Sequence, residues 1–232
     1  MLMAFVGELG SGKTLSMTYL LLRNWLKGKV IYANYTLYGI PFYKIKTLGD
    51  FNEISNGMVG GDELWLNISS WAGRSKVHEF TTTILLRSRK KDLHILYTTQ
   101  NFHQVNKRVR DVTDYIVYSM LSPDDSYCRI MIFRNPPSPS THIKPDIRYH
   151  TEPVFAAYNT NEIVEPFEPV NEIKLKECYF PIAQNPAFLR YLQKRGYTPR
   201  AAAEKIRKIE KIINPFGIKS YLDEKWEKIK EA

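Results

Sequence analysis

The 232-residue chain predicts an α/β fold, a mainly parallel sheet flanked by helices with a helical extension at its carboxyl end. Three observations predict it. The apolar run Leu2-Met3-Ala4-Phe5-Val6 enters a glycine-rich turn, and helical spacing of apolar residues follows from Lys13 to Leu26. A second run, Gly57-Met58-Val59-Gly60-Gly61, ends in Asp62-Glu63. A third, Leu93-His94-Ile95-Leu96-Tyr97-Thr98-Thr99, is strongly strand-like and ends at the polar Gln100. Short apolar strands alternating with helical stretches imply crossover units and a parallel sheet.

The first turn reads Gly7-Glu8-Leu9-Gly10-Ser11-Gly12-Lys13-Thr14 and satisfies the phosphate-loop pattern G-x-x-x-x-G-K-[ST] in full. Strand, glycine turn and helix supply the context the pattern requires, so the predicted core is a P-loop NTPase sheet of the RecA-like kind. Glycines let the backbone wrap phosphates with its N–H groups turned inward, and the following helix presents its positive end to the anion. Lys13 reaches the terminal phosphates. Thr14 offers a hydroxyl to Mg²⁺, a hard cation that prefers oxygen ligands. The predicted ATP-binding segment is Gly7 to Thr14 together with Leu15.

The remaining elements follow in order. Lys29 to Asn34 reads as a second strand and Leu48 to Ile54 as a short helix. The Asp62-Glu63 pair reads as a Walker B terminus, with Asp62 holding Mg²⁺ through water and Glu63 orienting or deprotonating the attacking water. Gly60 and Gly61 make this strand poorer than usual, and a plain Gly-Gly-Asp turn is the alternative. Val77 to Leu86 predicts a helix that ends in the basic run Arg87 to Lys91. Gln100, at the end of a core strand, is placed for sensing the γ-phosphate, because ligands of such sheets bind beyond the carboxyl ends of strands.

Tyr115 to Met120 and Cys128 to Phe133 predict a hairpin, Asn135 to Ser140 a loop, and Pro153 to Tyr158 one further strand. The expected division is an ATPase core over 1–170 and a basic helical extension over 171–232. In the extension, Thr198-Pro199 starts the clearest helix, whose Ala202, Ile206, Ile209 and Ile213 line one face suited to packing on the core. Tyr221 to Lys230 predicts a terminal amphipathic helix.

Composition narrows the class. Hydrophobic content of 44% and charged content of 25% are ordinary for a globular protein, which argues against dominant disorder. Cys128 and Cys178 are the only cysteines, and neither a disulfide framework nor a zinc site is suggested. No apolar stretch reaches the roughly 20 residues that span a bilayer, so a cytoplasmic location is expected. The net charge is +9, and residues 171–232 hold 14 Lys plus Arg against 8 Asp plus Glu. Such asymmetry favours a polyanionic partner, nucleic acid first and an acidic membrane surface second.

Together the phosphate loop, Asp62-Glu63, the run Arg87-Ser88-Arg89-Lys90 and the strand Ile95 to Gln100 resemble the FtsK/HerA superfamily of P-loop ATPases. Ala33-Asn34-Tyr35-Thr36-Leu37, Thr98-Thr99-Gln100, Arg110 and Tyr158-Asn159-Thr160 resemble the Zot-like branch and viral genome-packaging ATPases. The likeness covers roughly residues 1–165. It implies that the sensor strand lies between the Walker A and Walker B strands, bringing Gln100 beside Lys13 and Glu63. It also implies a homo-oligomeric ring, commonly a hexamer, in which an arginine of one subunit completes the site of the next. Arg89 matches that arginine, with Arg87, Arg74 and Arg110 as alternatives. Zot-like proteins of filamentous phages usually carry a membrane span, which this sequence lacks.

The resemblance therefore implies an ATP-hydrolysing motor that translocates double-stranded DNA, in viral genome packaging, in the host cytoplasm at an assembling virion. One alternative is a virion assembly or export ATPase that acts at a membrane or virion shell through a partner. Another is a nucleotide switch or small-molecule kinase, because a phosphate loop alone does not name a reaction.

Overall fold

The computed structural model describes residues 1–64, 90–165, 168 and 170–214. Its centre is a 9-stranded sheet of order β8-β7-β6-β1-β5-β4-β2-β3-β9. The strands are β1 (Leu2–Val6), β2 (Val30–Ala33), β3 (Phe42–Lys44), β4 (Gly57–Gly61), β5 (Leu93–Thr99), β6 (Tyr115–Leu121), β7 (Tyr127–Arg134), β8 (His142–His150) and β9 (Lys176–Cys178). From β6 through β1, β5, β4 and β2 to β3 every pairing is parallel. Antiparallel β7 and β8 extend one side, and antiparallel β9 closes the other. The predicted order holds: β5 lies between β1 and β4. The chain has an α/β architecture, a mainly parallel sheet flanked by helices.

Alternation along the strands sends side chains to two cores. On β1, Met3 and Phe5 join one cluster and Leu2 and Ala4 the other. The first face is covered by α1 (Lys13–Trp25) through Leu15, Met17, Leu21 and Leu22. The second is covered by α2 (Leu48–Glu53) through Leu48 and Phe51, and by Val109 of α3 (Lys107–Val112). A capping box starts α2: Thr47 accepts from the Asp50 N–H, and the Asp50 carboxylate accepts from the Thr47 N–H.

Gly60, the weak point of the predicted Walker B strand, has a steric reason. A Cβ there would lie 2.6 Å from Leu21 Cδ1 of α1. The glycine lets the phosphate-loop helix sit directly on β4.

Two local expectations differ. Pro153 to Tyr158, expected as a strand, overlaps α4 (Glu152–Ala156) instead. Pro153 falls in its first turn, where a missing N–H costs no helical hydrogen bond. β8 lies between the expected loop Asn135 to Ser140 and Pro153, in a stretch for which the sequence predicts no element; its Lys144-Pro145-Asp146 centre is tolerated because it forms a sheet edge. Beyond residue 170, β9 pairs with β3, and α5 (Pro186–Lys194) and α6 (Pro199–Ile213) follow. Thr198 caps α6 by accepting from the Ala201 N–H at 3.3 Å. Ile206, Ile209 and Ile213 are buried in the same cluster as Phe5 and Leu15, so the predicted stripe packs on the core. The predicted helices at Val77 to Leu86 and Tyr221 to Lys230 lie outside the described residues.

Candidate nucleotide site

The glycine loop, the start of α1 and the carboxyl ends of β4 and β5 surround a cavity of about 720 Å³. Leu9, Gly10, Gly12, Lys13, Thr14 and Leu15 line it, and Asp62, Glu63 and Thr98 face them. Gly12 takes φ 89°, a left-handed conformation that a side chain would strain, at the step from loop to helix. Lys13 Nζ donates to the Glu8 carbonyl at 2.7 Å, so the ammonium bridges the loop that would receive phosphate. Burial lowers the Lys13 pKa, while Asp62 and Glu63 oppose the shift.

Asp62 is the hub. Its Oδ1 accepts from Thr14 Oγ1 at 2.8 Å and from Thr98 Oγ1 at 2.7 Å. Burial pushes its carboxyl above the ordinary carboxylate range, against the lowering effect of those two hydroxyls and of Lys13. Glu63 is exposed at the cavity and adopts φ 48°, uncommon for a residue with a side chain. The turn thus holds Asp62 inward and Glu63 towards solvent.

The residues fit a metal-bound triphosphate. Ser11 Oγ is buried and lacks a hydrogen-bond partner, an orphaned donor inside the phosphate loop. Thr14 and Asp62 supply adjacent hard oxygens, the donor type Mg²⁺ takes. These two residues would hold the ion, which when bound neutralises charge on the phosphates and polarises them. Lys13 would leave the Glu8 carbonyl for phosphate oxygens.

The opposite wall joins two segments distant in sequence. Leu37 bridges Tyr158 in an isolated antiparallel pair, and the Tyr35 and Tyr158 rings meet edge to face at 6.4 Å. Glu162 accepts from the Thr36 N–H at 2.8 Å and from Thr36 Oγ1 at 2.9 Å, and pairs with Lys44 Nζ at 3.0 Å. The Thr36 and Asn159-Thr160 stretches singled out in the sequence therefore build one feature, the wall of the nucleotide cavity.

Gln100 is placed differently. It lines a neighbouring cavity of about 680 Å³ with Val6, Phe102, His103, Lys107 and Arg110, not the cavity of Lys13 and Glu63. β5 ends at Thr99, so strand alternation no longer directs the next side chain. In that second cavity Arg110 Nη1 lies 3.2 Å from His103 Nδ1 within the same subunit. Arg89, Arg87 and Arg74 lie outside the described residues. Sequence reasoning assigned no site role to Asn34 or Thr98, although both hold the Asp62–Glu63 turn. Their presence at the ends of the strands flanking β4 was the available signal.

No family model matches the chain, and no curated protein matches it. Among solved structures, the N-terminal domain of zonular occludens toxin from Neisseria meningitidis is similar over 68% of this chain and 98% of its own, with 17% identity and a TM-score of 0.46. The genome packaging NTPase B204 from Sulfolobus turreted icosahedral virus 2, in complex with ATP-gammaS, is similar over 64% of this chain and 96% of its own, with 10% identity and a TM-score of 0.39. Its complex with AMPPCP covers the same shares at 12% identity and a TM-score of 0.41.

Proposed function

We propose that this chain is a Mg²⁺-dependent ATPase that couples hydrolysis to translocation of double-stranded DNA, in the packaging of a viral genome. One observation carries the hydrolytic reading: Lys13, Thr14, Asp62 and Glu63, from separate elements, meet at one cavity. Glu63 is the general base for water, Lys13 binds the β- and γ-phosphates, and Thr14 and Asp62 hold the metal. An adjacent acid pair favours hydrolysis over transfer to an organic acceptor.

The DNA reading rests on charge and on the resemblance in sequence. The cavity beside the nucleotide site carries His103, Lys107 and Arg110 against Asp111, a basic wall suited to a phosphate backbone. Gln100 belongs to that wall and follows β5 directly, so its proposed γ-phosphate sensing would link the two cavities. A homo-oligomeric ring, a hexamer, would bring Arg89 of one subunit to the nucleotide of the next.

The test is an assay of phosphate release. Activity is expected to require Mg²⁺, to rise with added duplex DNA, and to fall by about 10²–10⁴ in Glu63→Gln while ATP binding survives. Equal turnover by wild type and Glu63→Gln rejects the base. DNA affinity independent of salt rejects the polymer.

A further inference from the structure

The Asp62–Glu63 turn stands where β4 has left the sheet. The ladder to β2 ends at Ala33 and Gly60, and the ladder to β5 ends at Gly61 and Tyr97. Backbone pairing within these strands therefore does not fix the two acids. Side chains from both neighbouring strands take over.

From the β2 side, the Asn34 N–H donates to the Gly60 carbonyl at 3.2 Å. The Asn34 side chain then continues the pairing by one residue. Its Oδ1 accepts from the Asp62 N–H at 2.8 Å, and its Nδ2 donates to the Asp62 carbonyl at 2.9 Å. A carboxamide has both an acceptor and donors, and here it presents both to the peptide groups of one residue, as a strand partner would. Asn34 is 5% exposed, so water does not compete strongly for these bonds.

From the β5 side, Thr98 Oγ1 accepts from the Glu63 N–H at 2.8 Å and donates to Asp62 Oδ1 at 2.7 Å. A hydroxyl has one proton, so donation to the carboxylate leaves its lone pairs for the amide. Thr98 thereby ties the backbone of one acid to the side chain of the other. Thr98 is also buried, and Glu63 holds its left-handed φ of 48° between these two anchors.

We propose that Asn34 and Thr98 are positioning residues that clamp the acidic turn from both sides and so set the place of the Glu63 carboxylate for water activation. The inference rests on the reading of Glu63 as the base. Neither residue is asked to move a proton. Their contribution is geometric, and small misplacement of a reacting group is costly: about 10²-fold for a displacement near 1 Å.

The experiment uses the full chain and compares Thr98→Val, which keeps the side-chain shape, with Thr98→Ser, which keeps the hydroxyl. Asn34→Ala and Asn34→Asp are measured beside them. Readouts are kcat and KM for ATP hydrolysis, affinity for a fluorescent ATP analogue, and the thermal midpoint. Thr98→Val and Asn34→Ala are expected to lose about 10²-fold in kcat with analogue affinity kept. Thr98→Ser should recover most of that loss, and Asn34→Asp, which keeps only the acceptor half of its clamp, should lie between. In a Glu63→Gln background, Thr98→Val should lower the residual rate no further.

Wild-type turnover in Thr98→Val overturns the proposal, as does a Thr98→Ser variant as slow as Thr98→Val. A kcat loss matched by equal loss of analogue affinity overturns it too, because that marks general damage to the site. If Asn34→Ala does not fold, the Thr98 pair decides. Absence of hydrolysis by the wild type rejects the underlying ATPase reading, whereas wild-type hydrolysis with unaffected variants rejects the clamp alone.

Discussion

Two cavities open beside each other at the carboxyl ends of the parallel strands, and their walls carry opposite charge. The nucleotide cavity sets Asp62, Glu63, Asp125 and Glu162 around Lys13. Its neighbour sets His103, Lys107 and Arg110 against Asp111. An acid-rich cavity repels a bare polyphosphate, so on the proposed reading binding there would draw on Lys13 and on a divalent cation that offsets the acids. A basic cavity attracts a polyanion without a metal. On the proposed reading, the carboxyl end of the sheet is thus divided into a site that would need Mg²⁺ and a site that would not.

The largest effect expected from breaking this contrast is at Lys13. Its ammonium is the one Lys or Arg charge among the described residues lining the acidic cavity. Lys13→Ala should weaken ATP binding by at least about 10²-fold, in line with loss of a charge-assisted contact worth ~3 kcal/mol. Titration with a fluorescent ATP analogue in Mg²⁺ checks it. Unchanged affinity would mean that the loop backbone suffices and that the charge contrast between the cavities is incidental.

A smaller effect is expected next door. Lys107 is exposed and lies on the basic wall. Lys107→Ala should weaken duplex DNA binding about equally for all sequences and reduce the slope of log affinity against log salt by about 1. Filter binding at several salt concentrations measures it. An unaltered slope would separate the basic cavity from the polymer and leave the net positive charge elsewhere to account for it.

The difference between the cavities also explains what the sequence disclosed. The acidic site was legible because its parts are set by chain-local features: the loop between β1 and α1, and the two acids directly after β4. The bounds of β1, β4 and β5 agree with their apolar runs because buried strands leave a continuous signal. Gln100 illustrates the opposite case. One residue beyond a strand end, its direction depends on the 3-10 turn Phe102–Gln104 that follows, which periodicity does not describe. The clamp by Asn34 and Thr98 was hidden for another reason: single polar residues acquire meaning only when β2, β4 and β5 become neighbours. β3 and β9 are three-residue strands, too short for any pattern to register.

The smallest expected effect concerns stability rather than turnover, and it tests whether the acidic cavity is strained when empty. Burial raises the Asp62 pKa above its ordinary value of 3.8, so the folded state favours the protonated carboxyl. Such a group stabilises the fold below its unfolded pKa, and that contribution is lost as pH rises from there through the raised folded value. At neutral pH the ionised carboxylate is therefore a net cost. Asp62→Asn removes the charge while its amide oxygen can still accept from Thr14 and Thr98. In metal-free, nucleotide-free solution the variant should melt above the wild type at pH 7, and the gap should close as pH falls below 3.8. Mg²⁺ with ATP should reverse the order, because only the wild type keeps the carboxylate that the metal complex stabilises. Thermal melts across pH, with and without Mg²⁺ and ATP, decide it. A variant less stable than the wild type at every pH would show that the Asp62 charge is satisfied by its hydroxyl partners and Lys13 alone, and that the cavity does not depend on a cation for balance.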